Sequence, residues 1–440
     1  MLSRLDPIPE GKVLAGVSGG ADSMLLLFLL IALRDRGMAE PEVIHINHGW
    51  RGDESDADER FVRGFCESNR IPCHVYRLPE GSAHDENSAR DFRRKCFAEC
   101  AAALSIGTVA LAHHQDDQAE TFLMHLLRGA GPDGLEAMRP ETNLGSVTVI
   151  RPMLGISKAE IRGFLSEAGI RWREDITNAR PVYLRNRIRL RLLPQMEDMA
   201  PGCAKRIARA SELIAEGNAA LDEWADSLVK SAAGLDWFRK GALTEAPKAV
   251  AVRALRRWLE GYAGKAFPGI TPDYETTGKL YNLLFEPERS KVNLPCGLHA
   301  VSGRRFMFLT GIEIKIPEPV PCVSPRTVFG EHDMLFTASR RNAGDGLREQ
   351  EVPVGFVKDC VIRTRRTGDY LYPFGSEARQ SLQDYLVNRK VEAPWRSRIP
   401  LIARGHEVLW VAGVGAGRLP RLDGTQETER LVWQGQMPWM

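Results

Sequence analysis

Short apolar runs alternate with helical patterns along the first 170 residues of the chain. Between these runs, apolar residues recur at the three- and four-residue spacing of helices. Such alternation favours an α/β fold, a doubly wound parallel sheet with helices on both faces, in which ligands lie at the carboxyl ends of the strands. The pattern predicts strands at 13–17, 42–47, 73–78, 108–112 and 147–152, and helices near 20–35, 55–69, 87–105, 117–129 and 158–168.

The rest of the chain changes character twice. From about 203 to 285 the pattern is helical, with amphipathic segments such as KAVAVRALRRWLEGY. Strand-like pieces then lead into IPEPVPCVSPRTV, whose prolines disfavour regular structure and indicate a linker. The last module has β-like runs around one helical segment. We therefore predict an α/β domain at 1–200, a mainly helical domain at 201–315, a linker at 316–349 and a small α+β domain at 350–440.

Composition and charge set limits on these parts. The chain has 59 Lys and Arg against 57 Asp and Glu, so any nucleic-acid footprint must be local. The eight cysteines form no C-x-x-C pair, which removes the main sequence support for zinc, iron–sulfur or thioredoxin-like chemistry. The apolar run at 24–33 is shorter than the about 20 residues that span a bilayer, and no signal-cleavage pattern follows it. We expect a cytoplasmic protein without membrane contact.

The segment SGGADS follows the first predicted strand and opens the first predicted helix. Its glycines let the backbone approach an anion closely, and the unpaired amides at a helix start point towards it. Ser18 and Ser23 can donate hydroxyl hydrogens to phosphate oxygens, whereas Asp22 needs a cation, most simply Mg²⁺, or orients the loop. A tight turn with a serine cap is the alternative. The complete pattern predicts a phosphate site formed by Ser18, Gly19, Gly20, Ala21, Asp22 and Ser23.

Two acidic residues lie near the start of the helix predicted at 117–129. Asp117 and Glu120 are three residues apart and therefore share a helix face, away from the apolar stripe. Acids in a first turn also complement the helix dipole, which is the simpler explanation. Two adjacent carboxylates at the ligand edge of the sheet would equally suit a cation such as a lysine ammonium. His113 and His114 are interpreted as polar loop residues rather than metal ligands.

The segment PVYLRNRIRLRLLP has an arginine at every second position over seven residues. In a strand these side chains would share a face, whereas in a helix they would spread around it. Their density favours contact with a polyanion. Salt bridges to the neighbouring WREDITN segment are the alternative. The arginines concerned are Arg185, Arg187, Arg189 and Arg191.

Several blocks together resemble one enzyme family. SGGADS is similar to the pyrophosphate-binding loop of the N-type ATP pyrophosphatase superfamily. HINHGWRGDESDADERFV, ENSARDFRRKCF, AHHQDDQAETFLMHLLRGAGPDGL, RPMLGISKAEI and WREDITNARPVYLRNRIRLRLLP follow it in the order seen in bacterial tRNA(Ile)-lysidine synthetases. These blocks cover nearly all of the first 195 residues. The module from VIRTRRTGDYLYPFG to APWRSRIPLIARGHEVLWVAGVG resembles the C-terminal domain of the same family.

The resemblance implies that lysine is ligated to C2 of the wobble cytidine in the CAU anticodon of isoleucine tRNA. The C2 oxygen would attack the α-phosphate of ATP and release pyrophosphate. The side-chain amine of free L-lysine would then displace AMP. ATP and Mg²⁺ are the cofactors implied, and the partners are this tRNA and lysine. No protein partner is evident, and a homodimer is left open.

The resemblance also implies roles for individual residues. Asp22 would hold Mg²⁺, and Asp117 and Glu120 would hold the lysine near the activated base. Arg90 and Arg93 would steer phosphate or the lysine carboxylate, with a solvated helix face as the alternative. The later domains would supply tRNA specificity. The predicted RNA contacts are Arg185, Arg187, Arg189, Arg191, Arg363, Arg365, Arg366 and Arg396.

One departure from the family affects the last module. Several lysines are usual where this chain has EARQSLQDYL, so its grip on the tRNA acceptor region should be weaker or rearranged. Two other functions stay open. A tRNA thiolase of the same superfamily would usually carry C-x-x-C pairs, which are absent here. A non-catalytic tRNA-binding protein would have no need for the complete SGGADS segment.

Overall fold

The computed structural model divides into two compact units, Met1–Ala220 and Leu221–Met440. All eight cysteines are free thiols. No helix within the described ranges is long and apolar enough to cross a membrane. The structure describes residues 1–50, 52–79, 86–174, 184–263, 272–311, 316–330, 332–338, 345–420, 422, 427–435 and 437.

The first unit is built on a six-stranded sheet of order β3-β2-β1-β4-β6-β5. Every pair in it is parallel except the β5–β6 hairpin. The strands are β1 (Gly11–Gly16), β2 (Ala39–Asn47), β3 (Cys73–Arg77), β4 (Thr108–Ala110), β5 (Glu141–Leu144) and β6 (Val147–Ile150). The helices are α1 (Ala21–Arg34), α2 (Asp53–Ser68), α3 (Glu86–Ala103), α4 (Gln115–Leu127), α5 (Pro132–Leu135), α6 (Lys158–Glu167), α7 (Leu184–Arg187, continued as a π-helix over Ile188–Leu192) and α8 (Leu193–Met199).

Two apolar cores, one on each face of the sheet, confirm the predicted α/β architecture. Val13 and Ala15 pack with α1 and α6, while Leu14 packs with α3 on the opposite face. Because both faces are covered, β1 is a continuous apolar run rather than an alternating one. All five predicted strands are present. The edge strand β5 is an addition to the prediction, since its sequence ETNL carries little apolar signal.

In its described part, the second unit contains helices, two four-stranded sheets and one seven-stranded sheet. The division between the units falls within α9 (Cys203–Ala232). The other helices are α10 (Lys240–Glu245), α11 (Lys248–Ala263), α12 (Tyr274–Leu283), α13 (Leu382–Asn388) and α14 (Ala393–Arg396). The strands are β7 (Trp237–Arg239), β8 (Lys291–Asn293), β9 (His299–Ser302), β10 (Phe306–Thr310), β11 (Val320–Pro321), β12 (Arg326–Phe329), β13 (His332–Ala338), β14 (Glu349–Pro353), β15 (Val361–Arg363), β16 (Tyr370–Leu371), β17 (Gln380–Ser381), β18 (Leu401–Arg404), β19 (Glu407–Val411), β20 (Gly415–Ala416) and β21 (Thr428–Trp433).

The core of the helical part of this unit is organised around α11. Trp258 is buried, packs edge-to-face on Phe238 and donates its indole hydrogen to the Gly234 carbonyl oxygen at 2.9 Å. A buried indole that finds an acceptor stabilises the core through both area and a satisfied hydrogen bond. Arg257 on the same helix is ion-paired with Asp226 and Asp222. The amphipathic pattern of this segment therefore places its tryptophan in the core.

Candidate active site

The SGGADS segment forms the turn between β1 and α1, at the carboxyl edge of the parallel sheet. Gly19 has φ +92°, a left-handed conformation that side-chain-bearing residues rarely adopt. The helix begins at Ala21, and no side chain caps its start. The amides of its first turn can therefore bind an anion. The positive end of the helix dipole also favours an anion at this position.

Ser23 organises the loop from within. Its hydroxyl oxygen accepts hydrogen bonds from the Ser18 and Gly19 amides, both at 3.2 Å, and donates to the Gly20 carbonyl oxygen at 3.0 Å. The side chain is 5% exposed. Its first role is therefore to close the turn, whereas the sequence predicted a direct donor to phosphate. Ser18, whose hydroxyl lies 3.2 Å from that of Ser23, is the serine more open to solvent.

The acidic pair on α4 is buried and occupied by two arginines. Asp117 and Glu120 are 8% and 1% exposed, and share a face of the helix as predicted. Arg185 lies 3.1 Å from Asp117 and 2.9 Å from Glu120. Arg189 lies 3.1 Å from Asp117 and 2.5 Å from Glu120. Acids that only complement a helix dipole would be exposed to solvent. These carboxylates are instead buried and form an ionic cluster with the two arginines.

The electrostatics of this cluster favour its charged state. Burial alone would raise the pKa of Asp117, but the neighbouring His114, Arg185, His113 and Arg189 outweigh it and lower that pKa. Burial likewise opposes the charge of Arg189, and its hydrogen bond to Glu120 raises the arginine pKa. Two cations and two anions thus compensate one another within a largely dry site.

His114 connects the loop to the acidic pair, a position that sequence reasoning missed. It is 2% exposed. Its Nε2 atom lies 3.6 Å from the Asp22 carboxylate and 3.5 Å from that of Asp117, and its Nδ1 atom lies 3.6 Å from Asp116. Burial lowers its pKa, but these three carboxylates together raise it above the ordinary value. The signal in the sequence was positional, because His114 is the N-cap residue of α4 and shortly follows β4, the strand that pairs with the one carrying the loop.

Comparison with known proteins now adds to this geometry. Residues 2–196 match a family model described as PP-loop domain, and residues 360–433 match one described as TilS substrate C-terminal domain. A tRNA(Ile)-lysidine synthase of Geobacter sulfurreducens is 31% identical, over 94% of this chain and 91% of its own length. The chain belongs to the tRNA(Ile)-lysidine synthase family. Similar relatives with that name occur in Symbiobacterium thermophilum (31% identical, 96% of this chain and 94% of the relative) and Dehalococcoides mccartyi (29%, 96% and 94%).

Asp22 fits the Mg²⁺ that the lysidine synthase family resemblance implies. Its Oδ1 atom is buried and has no hydrogen-bond partner among the described residues, which is costly for a carboxylate oxygen unless a cation binds there. Within the described residues, no group of three or more His, Cys, Asp and Glu could hold a metal by itself. Mg²⁺ typically binds through one or two carboxylates together with substrate phosphates. A single aspartate beside a phosphate loop matches that pattern of coordination.

The four predicted RNA-binding arginines between residues 185 and 191 divide into two pairs. They lie in α7 and the π-helix rather than in a strand, so they do not share one face. Arg187 and Arg191 are exposed. The prediction needs correction for Arg185 and Arg189, because both side chains are committed to the two buried carboxylates. The partners that the structure describes for them are the carboxylates of α4, whereas residues 175–178 of the predicted alternative lie outside the described part of the chain.

Arg90 and Arg93 are both exposed on α3. The pKa of Arg151 is lowered, mainly by burial and to a smaller extent by the nearby charge of Arg90. Arg93 acts in the same direction on His48, whose pKa falls to about 4 mainly through burial. His48 follows the carboxyl end of β2, the strand next to β1, so the assignment of Arg93 to a ligand contact at this edge stays a prediction.

The C-terminal arginines occupy different environments. Arg365 and Arg366 are exposed, and Arg396 is half-buried with its Nε–H donated to the Val391 carbonyl oxygen at 2.8 Å. Arg363 is 1% exposed and pairs with Asp369 at 2.7 Å. The predicted RNA contact at Arg363 is therefore wrong, because a guanidinium that is buried in an ion pair has no surface for a phosphate.

The half-buried His113 predicts a pH-dependent stability. Burial of the ring lowers its pKa to about 4, and its buried Nδ1 atom has no hydrogen-bond partner among the described residues. In the unfolded chain this histidine has the ordinary pKa of 6.5. It therefore binds a proton between pH 6.5 and 4, whereas in the folded protein it stays neutral in that range. The free energy of unfolding therefore falls through that window, by up to about 3 kcal/mol from this group.

His113→Asn should flatten the decline of the thermal midpoint between pH 6.5 and pH 4, measured by circular dichroism. His299→Asn, which changes a partly exposed histidine in the second unit, serves as the control. An unchanged slope in the His113 variant would contradict the assignment.

Proposed function

We propose that this protein ligates free L-lysine to C2 of the wobble cytidine in the CAU anticodon of isoleucine tRNA, with ATP converted to AMP and pyrophosphate. One observation carries the proposal. The Nε2 atom of His114 contacts both Asp22 of the phosphate loop and Asp117 of the acidic pair. A site for ATP activation and a site for a cationic nucleophile are thereby adjacent, as a two-step ligation requires.

In the first step, the C2 carbonyl oxygen of the cytosine attacks the α-phosphorus of ATP. The bond from that phosphorus to the bridging oxygen breaks, and pyrophosphate leaves. The amides of Ala21, Asp22 and Ser23 and the Ser18 hydroxyl would hold the departing phosphates. Mg²⁺, bound by Asp22, would neutralise charge that develops on the phosphate oxygens. The cytosine oxygen, a poor leaving group, becomes a good one once it is adenylated.

In the second step, the side-chain nitrogen of lysine attacks C2 of the base. The C2–O bond breaks, AMP leaves, and one proton is lost from the amine. Asp117 and Glu120 would hold the lysine by exchanging a guanidinium group of Arg185 or Arg189 for its ammonium group, because both arginines already pair with these carboxylates. The amine must be neutral when it attacks, whereas carboxylates favour its charged form. The proposal therefore requires a base that accepts one proton from the lysine ammonium before the nitrogen attacks.

Exposed arginines supply candidate contacts for the tRNA. Arg187 and Arg191 lie on the helical segment that also carries the two site arginines, and Arg365 and Arg366 lie in the C-terminal part of the chain. We propose that residues 1–200 carry the chemistry, and that residues 201–315 and 350–440 contribute specificity. The target base lies in an anticodon loop, where unstacking it costs less than in a duplex.

The test is incubation of the full-length protein with radiolabelled lysine, ATP and a CAU-anticodon tRNA transcript, followed by nucleoside analysis. We expect label in a modified cytidine, and one AMP and one pyrophosphate for each nucleoside formed. The same transcript with a GAU anticodon is the control and should stay unlabelled. Binding of tRNA without pyrophosphate release would instead support the non-catalytic alternative. Sulfur incorporation with a sulfur donor would support the thiolase.

A further inference from the structure

A cavity of about 640 Å³ lies in the C-terminal part of the second unit. Residues 365–370 form one wall, in the loop that precedes β16, and residues from 379 to 383 form the other. Its size falls within the range of sites that take a small organic ligand, of which a nucleotide is one. It lies outside the proposed catalytic site, which belongs to the first unit.

The wall of this cavity is positively charged. Arg365, Arg366 and Arg379 line it, are exposed, and form no ion pair with any residue that the structure describes. The acidic residue among the lining residues, Asp369, is 1% exposed at its side chain and neutralised by Arg363. Three guanidinium groups without carboxylate partners favour an anionic ligand, and planar guanidinium groups suit phosphate in particular.

The cavity also offers surfaces for stacking. The guanidinium carbon of Arg379 lies 3.8 Å from the ring centre of Tyr370. Tyr370 in turn meets Tyr372 edge-to-face, with ring centres 6.0 Å apart. Aromatic rings and arginine planes are the two surfaces on which proteins stack unpaired RNA bases. A phosphate-binding wall and a stacking surface in one cavity match the two chemical halves of a nucleotide.

A buried ion pair holds the loop in place. Arg363 Nη1 and Nη2 lie 2.7 Å and 2.9 Å from the two carboxylate oxygens of Asp369. Asp369 also accepts the Arg366 amide hydrogen at 2.6 Å, and its carbonyl oxygen accepts that of Leu382 at 3.0 Å. These bonds hold the loop in its conformation and connect it to the facing wall of the cavity. A prearranged site loses less conformational entropy when a ligand binds.

We infer that this cavity binds one unpaired ribonucleotide of the tRNA, with its phosphate on Arg365 and Arg366 and its base on the Tyr370–Arg379 stack. The inference rests on the proposed function, because it takes RNA as the substrate. Paired nucleotides do not fit, since their bases are stacked inside a duplex, whereas single-stranded ends and loops present their bases. The nucleotide comes either from the unpaired 3′ end or from a loop.

The first test compares two substitutions of one residue in the full-length protein. Tyr370→Leu keeps an apolar side chain but removes the stacking surface, and should raise the Kd for tRNA at least about fivefold. Tyr370→Phe keeps the ring and should stay within twofold of wild type. Arg379→Gln, at an exposed side chain, is the second variant and should weaken binding similarly. Arg348→Gln, an exposed arginine outside the cavity, is the control.

The second test identifies the source of the nucleotide. A transcript without its unpaired 3′ end is bound to wild type and to Tyr370→Leu. If the two proteins then bind equally, the 3′ end is the ligand, because the substitution has nothing left to remove. If the difference persists, the nucleotide comes from a loop. Both results support the inference.

Two results would overturn it. Either Tyr370→Leu and Arg379→Gln both bind the complete tRNA as tightly as wild type, or Tyr370→Phe loses as much affinity as Tyr370→Leu. Thermal midpoints within about 2 °C of wild type exclude misfolding as the cause. Lysidine formation by the wild-type protein is scored separately. The nucleotide-binding inference can therefore be refuted while the proposed ligase activity is supported. The ligase activity can likewise be refuted while the nucleotide contact is supported.

Discussion

Asp22→Asn should reduce ATP-dependent pyrophosphate release at least about a thousandfold, because loss of a Lewis acid at the phosphates costs several kcal/mol. The substitution keeps the size of the side chain and removes the charge that would hold Mg²⁺. The affinity for tRNA, measured by filter binding, should change less than threefold. The phosphate loop itself should survive, since Ser23 rather than Asp22 accepts the loop amides.

The control lies on the same helix. Asp35 is at the other end of α1, where its exposed carboxylate pairs with Arg34. Asp35→Asn removes the same charge from the same element and should leave pyrophosphate release unchanged. Full activity of the Asp22 variant at limiting Mg²⁺ would refute the metal assignment. A parallel loss of tRNA binding would show that the aspartate acts through the fold of the loop.

Glu120→Gln should raise the KM for lysine about 10- to 100-fold, as expected when one charge-assisted interaction worth about 1.5–3 kcal/mol is lost. The KM for ATP should change less than threefold, because the phosphate loop is a separate element. Glutamine retains one acceptor for Arg185 and Arg189, which limits the cost of leaving these buried cations without a partner. Steady-state assays of AMP formation with varied lysine or ATP provide both values.

A second arginine–glutamate pair in the same unit serves as the reference. Glu160 pairs with Arg4 and is 43% exposed at its side chain. Glu160→Gln should leave both KM values within twofold of wild type, since an exposed pair contributes little. If the KM for ATP rises in the Glu120 variant as much as that for lysine, Glu120 does not belong to the lysine pocket.

The cavity and the active site suggest a division of work along the chain. The first unit brings a phosphate loop and a compensated ionic cluster together through His114. The second unit offers a cavity lined by three guanidinium groups that form no ion pair with the residues that the structure describes. The usual lysines of the family are missing next to this cavity, and Arg379 occupies that segment. A stacked arginine can contact both a base and a phosphate, whereas a lysine acts as a point charge. We therefore expect Arg379 to compensate in part for the missing lysines.

Sequence patterns were sufficient wherever the signal was local. The position of the SGGADS turn and the shared face of Asp117 and Glu120 both follow from residues that lie within a few positions of one another. The parallel direction of the strands was predictable for the same reason, since each βα unit has its own periodic pattern. The edge strand β5 was missed because its polar sequence carries no such pattern.

Sequence by itself thus determined most elements of the first unit, the family and the position of the loop. Only the tertiary structure decided which charges meet. Arg185 and Arg189 are 65 or more residues from the carboxylates that they neutralise, and Arg363 is distinguished from Arg365 solely by the buried partner beside it. The strength of an ion pair depends on distance and burial, and neither quantity is encoded in the spacing of residues along a chain.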